Sequence, residues 1–182
     1  HESGRLTNHQ ALIVLCLRRA GVLLITDRWQ IAVSQRLERV FSWQNSEGWF
    51  PEYEGCDPGY HTLTVTCLAQ IYQLEQALAP SGHLHPGVID RPRLQRDMIN
   101  AVELAAHFVH TDGSYGGEYT SRNTYNFFPH GFELVGQWFP DALSINDRFA
   151  KGVEQGLGAC YADDHIVGHH TWNYLLAWED SV

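Results

Sequence analysis

An Asn-His pair near the start of the chain and a Tyr residue further along carry side chains suited to acid–base chemistry. Asn8 and His9 are adjacent, and Tyr60 follows His9 by 51 positions. An Asn amide can neutralise a carboxylate by hydrogen bonding, which makes the proton on the neighbouring carbon more acidic. A His or an ionised Tyr can remove that proton, and Tyr can protonate the leaving oxygen. The set suits β-elimination at a uronic acid, which needs no metal, and no cofactor is predicted.

The same three residues also fit a structural interpretation. In that interpretation Asn8 caps a helix, His9 is solvated and Tyr60 packs against its neighbours. Spacing alone does not choose between the two interpretations, because short motifs recur by chance. The choice depends on the elements that position these residues.

A loop motif that occurs twice gives the first indication of those elements. Residues 47–53 read Glu-Gly-Trp-Phe-Pro-Glu-Tyr, and residues 112–119 read Asp-Gly-Ser-Tyr-Gly-Gly-Glu-Tyr, 65 positions later. A repeat of this length corresponds to one or two helical hairpins, so it predicts stacked or ring-closed helix pairs. Corresponding loops would then bring aromatic residues to a shared cleft, namely Trp49, Tyr53, Tyr115 and Tyr119.

Apolar periodicity between these loops predicts an all-α protein with almost no strand. The predicted helices span 6–24, 28–44, 60–77, 92–109, 132–138, 142–157 and 171–178. Thr7 or Asn8 is predicted to cap the first helix and Asp27 the second, while Pro92 suits the first turn of the fourth. Loops as long as the stretch 111–131 are usually functional or disordered in compact domains. This one is predicted to be ordered, because it contains more Tyr, Phe, Arg and Asn than Ser and Lys.

The second loop motif continues into a run that combines a carboxylate, a phenol, a guanidinium and an amide. These groups belong to Glu118, Tyr119, Arg122 and Asn123. Arg122 could hold a substrate carboxylate through two hydrogen bonds while Glu118 orients it. Alternatively, an internal Arg–Glu pair could anchor the long loop. If the repeat is real, Glu118 corresponds to Glu52, which favours a structural role for at least the Glu.

Three of these features, taken in order, resemble a known family. Asn8-His9, the run 47–52 and Tyr60-His61 together resemble the toroid domain of alginate lyases and heparinase II/III-like polysaccharide lyases. The resemblance covers about residues 5–75 and implies an (α/α) toroid with elimination chemistry. It also implies that Asn8 neutralises the carboxylate, and that His9 and Tyr60 act as base and acid. Two departures are that the β-sandwich of those lyases does not fit in 182 residues, and that the run 117–124 has no place in their pattern.

A second resemblance concerns the fold alone. Residues 44–49, Gln-Asn-Ser-Glu-Gly-Trp, resemble the Gln-x-x-x-Gly-Trp repeat of triterpene cyclases, which are also toroids of helix pairs. The Asp-rich initiating motif of those enzymes is missing here. The match therefore favours a toroid and indicates nothing about activity.

The net charge of the chain limits the classes of partner that it is predicted to bind. The net charge is −9, although residues 1–45 carry six Arg against three acids, which leaves −12 for the remainder. An acidic chain argues against non-specific nucleic-acid binding.

No signal peptide or membrane span is evident in the residues given, so the compartment is left open. Cys16 and Cys67 are predicted to be buried thiols, and the His-containing stretch 163–170 is too weak a pattern to predict a metal site.

The sequence thus predicts one all-α domain over residues 1–182, a complete or partial (α/α) toroid that belongs to a longer chain. The predicted function is cleavage of an acidic polysaccharide or oligosaccharide by β-elimination, with no nucleic-acid or membrane partner. The catalytic residues would be Asn8, His9 and Tyr60, and the substrate-binding residues Trp49, Tyr53, Tyr115, Glu118, Tyr119 and Arg122. Two alternatives are a non-catalytic module that binds sugar or another partner, and a toroid-type glycoside hydrolase that uses Glu52 or Glu118 in an acid–base pair.

Overall fold

The computed structural model describes residues 6–53, 55–79, 89–116, 126–157 and 164–181, with the backbone alone for 164–171. The predicted all-α class is confirmed. The helices are α1 (Thr7–Leu23), α2 (Gln30–Trp43), α3 (Pro58–Leu78), α4 (Arg91–Ala106), α5 (His130–Gly136), α6 (Asp141–Glu154) and α7 (Asp164–Ser181). One short antiparallel hairpin, β1 (Pro51–Glu52) with β2 (Gly55–Cys56), lies between α2 and α3.

The odd-numbered helices form a row in which each contacts the next. Helix α1 packs on α3, α3 on α5, and α5 on α7. The even-numbered helices lie against the row, so that α2 packs on α1, α4 on α3 and α6 on α5. The described residues therefore form three successive helical hairpins followed by α7, which agrees with the hairpin repeat predicted from the loop motifs.

Helices α1 and α3 run parallel, as contacts at both of their ends demonstrate. Near the start of α1, the Thr7 hydroxyl donates to Pro51 O, just before α3. Near its end, the Arg18 guanidinium pairs with Glu75, close to the end of α3. Helices α1 and α3 therefore begin at the same end of the molecule.

The Thr-rich start of α3 contacts the start of α5 closely. Thr62 Oγ1 accepts from Phe128 N at 3.0 Å, and Thr66 Oγ1 donates to Phe128 O at 3.0 Å. A Cβ on Gly131 would overlap the Thr66 backbone, so only glycine allows this close approach. Thr side chains at buried positions of α3 thus satisfy backbone groups at the start of α5.

The two loop motifs adopt one backbone conformation. In the first, Asn45 N donates to Trp49 O at 3.0 Å and Gly48 N donates to Asn45 O at 3.1 Å. The same two bonds recur 65 positions later among residues 110, 113 and 114, at 2.9 and 3.0 Å. Phe50 and Tyr115, which are also 65 positions apart, are both fully buried. The repeat seen in the sequence is therefore a structural repeat.

Each loop is locked to the next even-numbered helix through its glycine. Gly48 has a φ of 98° and Gly113 a φ of 90°, values that favour glycine. An added Cβ on Gly48 would overlap the Asn100 backbone in α4, and one on Gly113 would overlap the Arg148 and Gly152 backbone in α6. The loops therefore contact helix backbone directly.

Several predicted helix ends were wrong. Leu6 is the N-cap of α1 and makes no side-chain cap bond, so neither Thr7 nor Asn8 caps it. Helix α2 begins at Gln30, after Asp27. Asp57 caps α3 by accepting from Tyr60 N, and α3 begins at Pro58. Local propensity cannot place these ends, because contacts with the hairpin and neighbouring helices decide them.

The core and surface show two further differences from prediction. Cys67 is buried as predicted, whereas Cys16, also predicted to be buried, is exposed. The two-residue strands β1 and β2 were also missed, since a pair that short has no alternating pattern. Within the described part of the chain, no helix is both long and apolar enough to span a bilayer.

Candidate functional site

The first turn of α1 docks onto the β1–β2 hairpin through two hydrogen bonds. Thr7 Oγ1 donates to Pro51 O at 2.9 Å, and Asn8 N donates to Glu52 Oε1 at 2.6 Å. Thr7, Asn8 and Glu52 are all buried. Because the hairpin leads directly into α3, these bonds hold the starts of α1 and α3 together.

Two tyrosines flank the cap of α3 on the same segment. The rings of Tyr53 and Tyr60 lie 5.9 Å apart at an interplanar angle of 45°. Tyr53 is 61% exposed with a φ of 51°, while Tyr60 is half-buried. Asp57 Oδ1 accepts from Tyr60 N at 3.0 Å, which fixes the backbone that carries Tyr60.

The structure therefore brings three of the predicted residues to one end of the row. Asn8 contacts Glu52, the next residue is Tyr53, and Tyr53 contacts Tyr60. His9 follows Asn8 in the first turn of α1 and has an exposed side chain. We name Asn8, His9, Glu52, Tyr53 and Tyr60 the rim cluster.

Within the part of the chain that the structure describes, two buried oxygens of the rim cluster have no hydrogen-bond partner. They are Asn8 Oδ1 and Glu52 Oε2. Burial raises the pKa of Glu52 from 4.5 to about 8; the hydrogen bond from Asn8 N opposes this rise and the charge of Asp57 adds to it. Glu52 is therefore protonated and neutral at pH 7. An unsatisfied amide oxygen beside a neutral carboxyl makes this end a candidate for ligand binding.

The start of α1 adds a favourable field for an anion. Helices α1 and α3 both begin at the rim cluster; the first turn of α1 has no acidic side chain, whereas the Asp57 carboxylate caps α3 and offsets the partial charge of that helix start. The N-terminal end of a helix carries a partial positive charge from its unpaired N–H groups. With Glu52 neutral, this end is less negative than its composition indicates.

Trp49 lies in a different environment from the rim cluster. It lines an open cavity of about 550 Å³ between the first loop and the end of α4. Its indole N–H donates to Glu47 Oε2 at 3.1 Å.

The neighbouring Phe50 is in the core, with its ring 5.6 Å from that of His61. His61 is itself fully buried, and burial lowers its pKa to about 4, so it stays neutral and is not an acid–base group at the rim.

The predicted substrate contact of Tyr115 needs correction. Its side chain has no exposed surface, and its hydroxyl donates to Pro58 O at 3.3 Å. Its ring packs edge-on against Phe127, with the centroids 4.9 Å apart. Tyr115 corresponds to Phe50 in the repeat, so both aromatics anchor their loops in the core and do not face a cleft.

The remaining predicted residues lie outside the described ranges. These are Glu118, Tyr119 and Arg122, together with the neighbouring Asn123. Their roles stay predictions. The His side chains of the stretch 163–170 also lie outside the description, and among the side chains that are described no group of three or more could hold a metal ion.

Sequence reasoning missed two residues that build the rim. Asp57 precedes Pro58, and an acidic residue followed by Pro is a helix-start signature that would have placed the start of α3 correctly. Thr7 docks on Pro51, 44 positions away, and no local pattern reports a contact of that kind.

Comparisons with protein-family models, with curated proteins and with solved structures find no match for this chain. The class that the fold defines is an all-α array of helical hairpins.

Proposed function

We propose that this chain is the helical part of a polysaccharide lyase, which cleaves a uronate-containing polysaccharide by β-elimination, and that its helices form part of an (α/α) toroid. The observation that carries the proposal is the docking of α1 on the hairpin. The hydrogen bond from Asn8 N to Glu52 places Asn8 beside the segment that presents Tyr53 and Tyr60.

The electrostatics of the rim cluster support an acidic substrate. Burial raises the pKa of Glu52 to about 8, so its carboxyl does not repel a uronate at neutral pH. The start of α1, which has no acidic side chain in its first turn, contributes partial positive charge at the same end. An anionic sugar is therefore better accommodated here than the net charge of −9 indicates.

The proposed step divides its tasks among Asn8, His9 and Tyr60. The side-chain N–H groups of Asn8 hydrogen-bond the substrate carboxylate and increase the acidity of the C5 proton, which requires Asn8, 4% exposed in the unliganded chain, to become accessible when substrate binds. His9 or Tyr60 removes that proton as the bond from C4 to the glycosidic oxygen breaks, and a double bond forms between C4 and C5. The leaving oxygen takes a proton from Tyr60. The half-buried position of Tyr60 beside the exposed Tyr53 suits contact with a sugar ring.

A hydrolase that uses Glu52 fits the structure less well. A raised pKa is what the acid of a glycoside hydrolase needs. However, the Glu52 side chain is only 1% exposed and accepts the Asn8 N–H, so no surface is left for a glycosidic oxygen. We therefore assign Glu52 to holding the start of α1 in place.

The proposal is tested with Tyr60→Phe, assayed by the near-ultraviolet absorbance of the unsaturated product. Removing the phenol hydroxyl should lower the rate by about 10²–10⁴-fold, because it removes a positioned acid–base group. Binding of the same polysaccharide should change little, since the ring remains.

Tyr72→Phe is the matched control for this test. Tyr72 lies in the same helix, but it is buried and its ring packs on Trp138. The control should keep the rate of the unchanged protein. Equal rates for Tyr60→Phe and Tyr72→Phe would remove Tyr60 from the mechanism and favour a non-catalytic sugar-binding module.

A further inference from the structure

The cavity that Trp49 lines shares no residue with the rim cluster. One wall comes from the first loop and the β2 strand, and the other from the last two turns of α4. The lining residues are Ser46, Glu47, Trp49, Cys56, Asn100, Glu103, Leu104, His107 and Phe108. At about 550 Å³ the cavity has the size of a small-molecule site.

The loop wall of the cavity is held rigidly. Asn45 Oδ1 accepts from the backbone N–H groups of Glu47 and Trp49, at 3.0 and 3.1 Å. Gln44 Nε2 donates to Gly48 O and to Asp97 O in α4, at 2.8 and 2.9 Å. A wall fixed in this way loses little conformational freedom when a ligand binds.

The chemistry of the walls is aromatic and negative. Trp49 and Phe108 line the cavity and are half-buried, so each residue keeps some exposed surface. Glu47 and Glu103 are exposed carboxylates, one from each wall. Helix α4 ends at Ala106, and the end of a helix carries partial negative charge. Among the described lining residues there is no Lys or Arg.

The pKa of Cys56 is consistent with negative charge in the walls of the cavity. Burial raises the pKa of the Cys56 thiol to about 11, and the charges of Asp57 and Glu47 contribute to the rise. Cys56 is therefore protonated and poorly suited to act as a nucleophile at neutral pH. A small apolar thiol in a negative field fits a binding wall better than a catalytic one.

We propose that this cavity binds an organic ammonium ion that carries an apolar body. The ring of Trp49 offers a face for cation–π contact, and Glu47 and Glu103 offer carboxylates for the ammonium group. A uronate would meet two carboxylates and a helix end of its own sign. The inference does not depend on the proposed lyase activity, because it uses none of the rim cluster residues.

Three singly substituted benzenes of nearly equal size test the charge requirement. Titrations compare benzylammonium, benzyl alcohol and benzoate against the whole chain by calorimetry at low salt. Benzylammonium should bind most tightly and benzoate least, and benzylammonium binding should weaken as salt is added.

Variants then locate the site. Glu103→Gln should weaken benzylammonium binding by about twofold to fivefold, the range expected for an ion pair with an exposed carboxylate. Glu154→Gln is the matched control, since Glu154 is exposed on α6 and does not line the cavity. Trp49→Leu should weaken binding by a similar factor, with circular dichroism used to check that it remains folded.

The proposal is overturned if benzoate or benzyl alcohol binds as well as benzylammonium. It is also overturned if folded Glu103→Gln and Trp49→Leu both keep the affinity of the unchanged protein. Loss of benzylammonium binding in these two variants but not in Glu154→Gln supports it.

Discussion

Glu52 is the residue on which the rim cluster depends. Its carboxyl accepts the Asn8 N–H at 2.6 Å while its second oxygen is buried without a partner. A buried ionised carboxylate in this position would be costly, and the pKa of about 8 reflects that cost. The protein therefore keeps the start of α1 on the hairpin with a neutral acid.

Replacing Glu52 with Gln should change how stability depends on pH. Between about pH 4.5 and 8 the folded protein holds a proton on Glu52 that the unfolded chain has lost. The free energy of unfolding must then fall as pH rises through this window. Gln cannot ionise and keeps an oxygen for Asn8 N–H, so the fall should be smaller in Glu52→Gln.

Urea unfolding at pH 5, 6, 7 and 8 measures this difference, with Glu154→Gln as the control for loss of an exposed carboxylate. The gain in stability of Glu52→Gln over the unchanged protein should increase with pH. If the free energies of unfolding of the two proteins change with pH in parallel, Glu52 is ionised in the folded state.

At the residue scale, sequence reasoning predicted only part of the arrangement of the candidate site. It placed Asn8, Tyr53 and Tyr60 in one candidate site, and the structure brings them to one end of the row. It also placed Tyr115 there, which is in the core. Aromatic residues in a loop can face either way, and only packing against later segments decides the direction.

At the scale of elements, the repeated loop is the unit that connects an even-numbered helix to the next helix of the row. Both copies share two backbone hydrogen bonds and a glycine with positive φ. The acid-Gly signature could be recognised in the sequence because glycine is needed where the backbone is left-handed and close to a helix. The helix that each glycine contacts could not be predicted, since that contact is not local.

Alanine at the loop glycines should destabilise the fold strongly. In Gly48→Ala the new Cβ meets both an unfavourable φ and the Asn100 backbone, and Gly113→Ala meets the same combination against α6. Each change should lower the free energy of unfolding by about 2–4 kcal/mol, because backbone cannot move aside easily.

Two other glycines separate the contributions. Gly156 has a φ of 79° but open space around its Cβ position, so Gly156→Ala should cost about 1 kcal/mol from conformation alone. Gly55 has neither constraint, and Gly55→Ala should change stability little. Equal costs for Gly48→Ala and Gly156→Ala would contradict the close contact of the loop with α4.

At the scale of the whole molecule, a polar chain links all four helices of the row. Arg19 Nη2 in α1 donates to Gln70 Oε1 in α3 at 2.6 Å. Gln70 Nε2 lies 3.0 Å from His130 Nδ1 in α5, and His130 Nε2 lies 2.6 Å from Asp180 Oδ2 in α7. Polar groups that cross the row in this way favour one alignment of the helices over sliding alternatives.

The overall class was predictable because helical periodicity is a strong local signal, whereas the order of packing was only partly predictable. The 65-residue repeat predicted successive hairpins, and the contacts of α1, α3, α5 and α7 agree with it. The series of polar contacts from Arg19 to Asp180 could not be predicted from the sequence, because the two residues in each contact are 50 to 60 positions apart. Contacts at such separations depend on the completed fold.

The measurement that tests the central claim most directly is product analysis with uronate polymers. The whole chain is incubated separately with alginate, heparan, chondroitin and pectic substrates, and both near-ultraviolet absorbance and new reducing ends are followed. The proposed β-elimination predicts that absorbance and reducing ends increase together on at least one polymer, and that Tyr60→Phe suppresses both. Reducing ends without absorbance would indicate hydrolysis, and binding without either product would indicate a sugar-binding module; each result would contradict the proposed lyase.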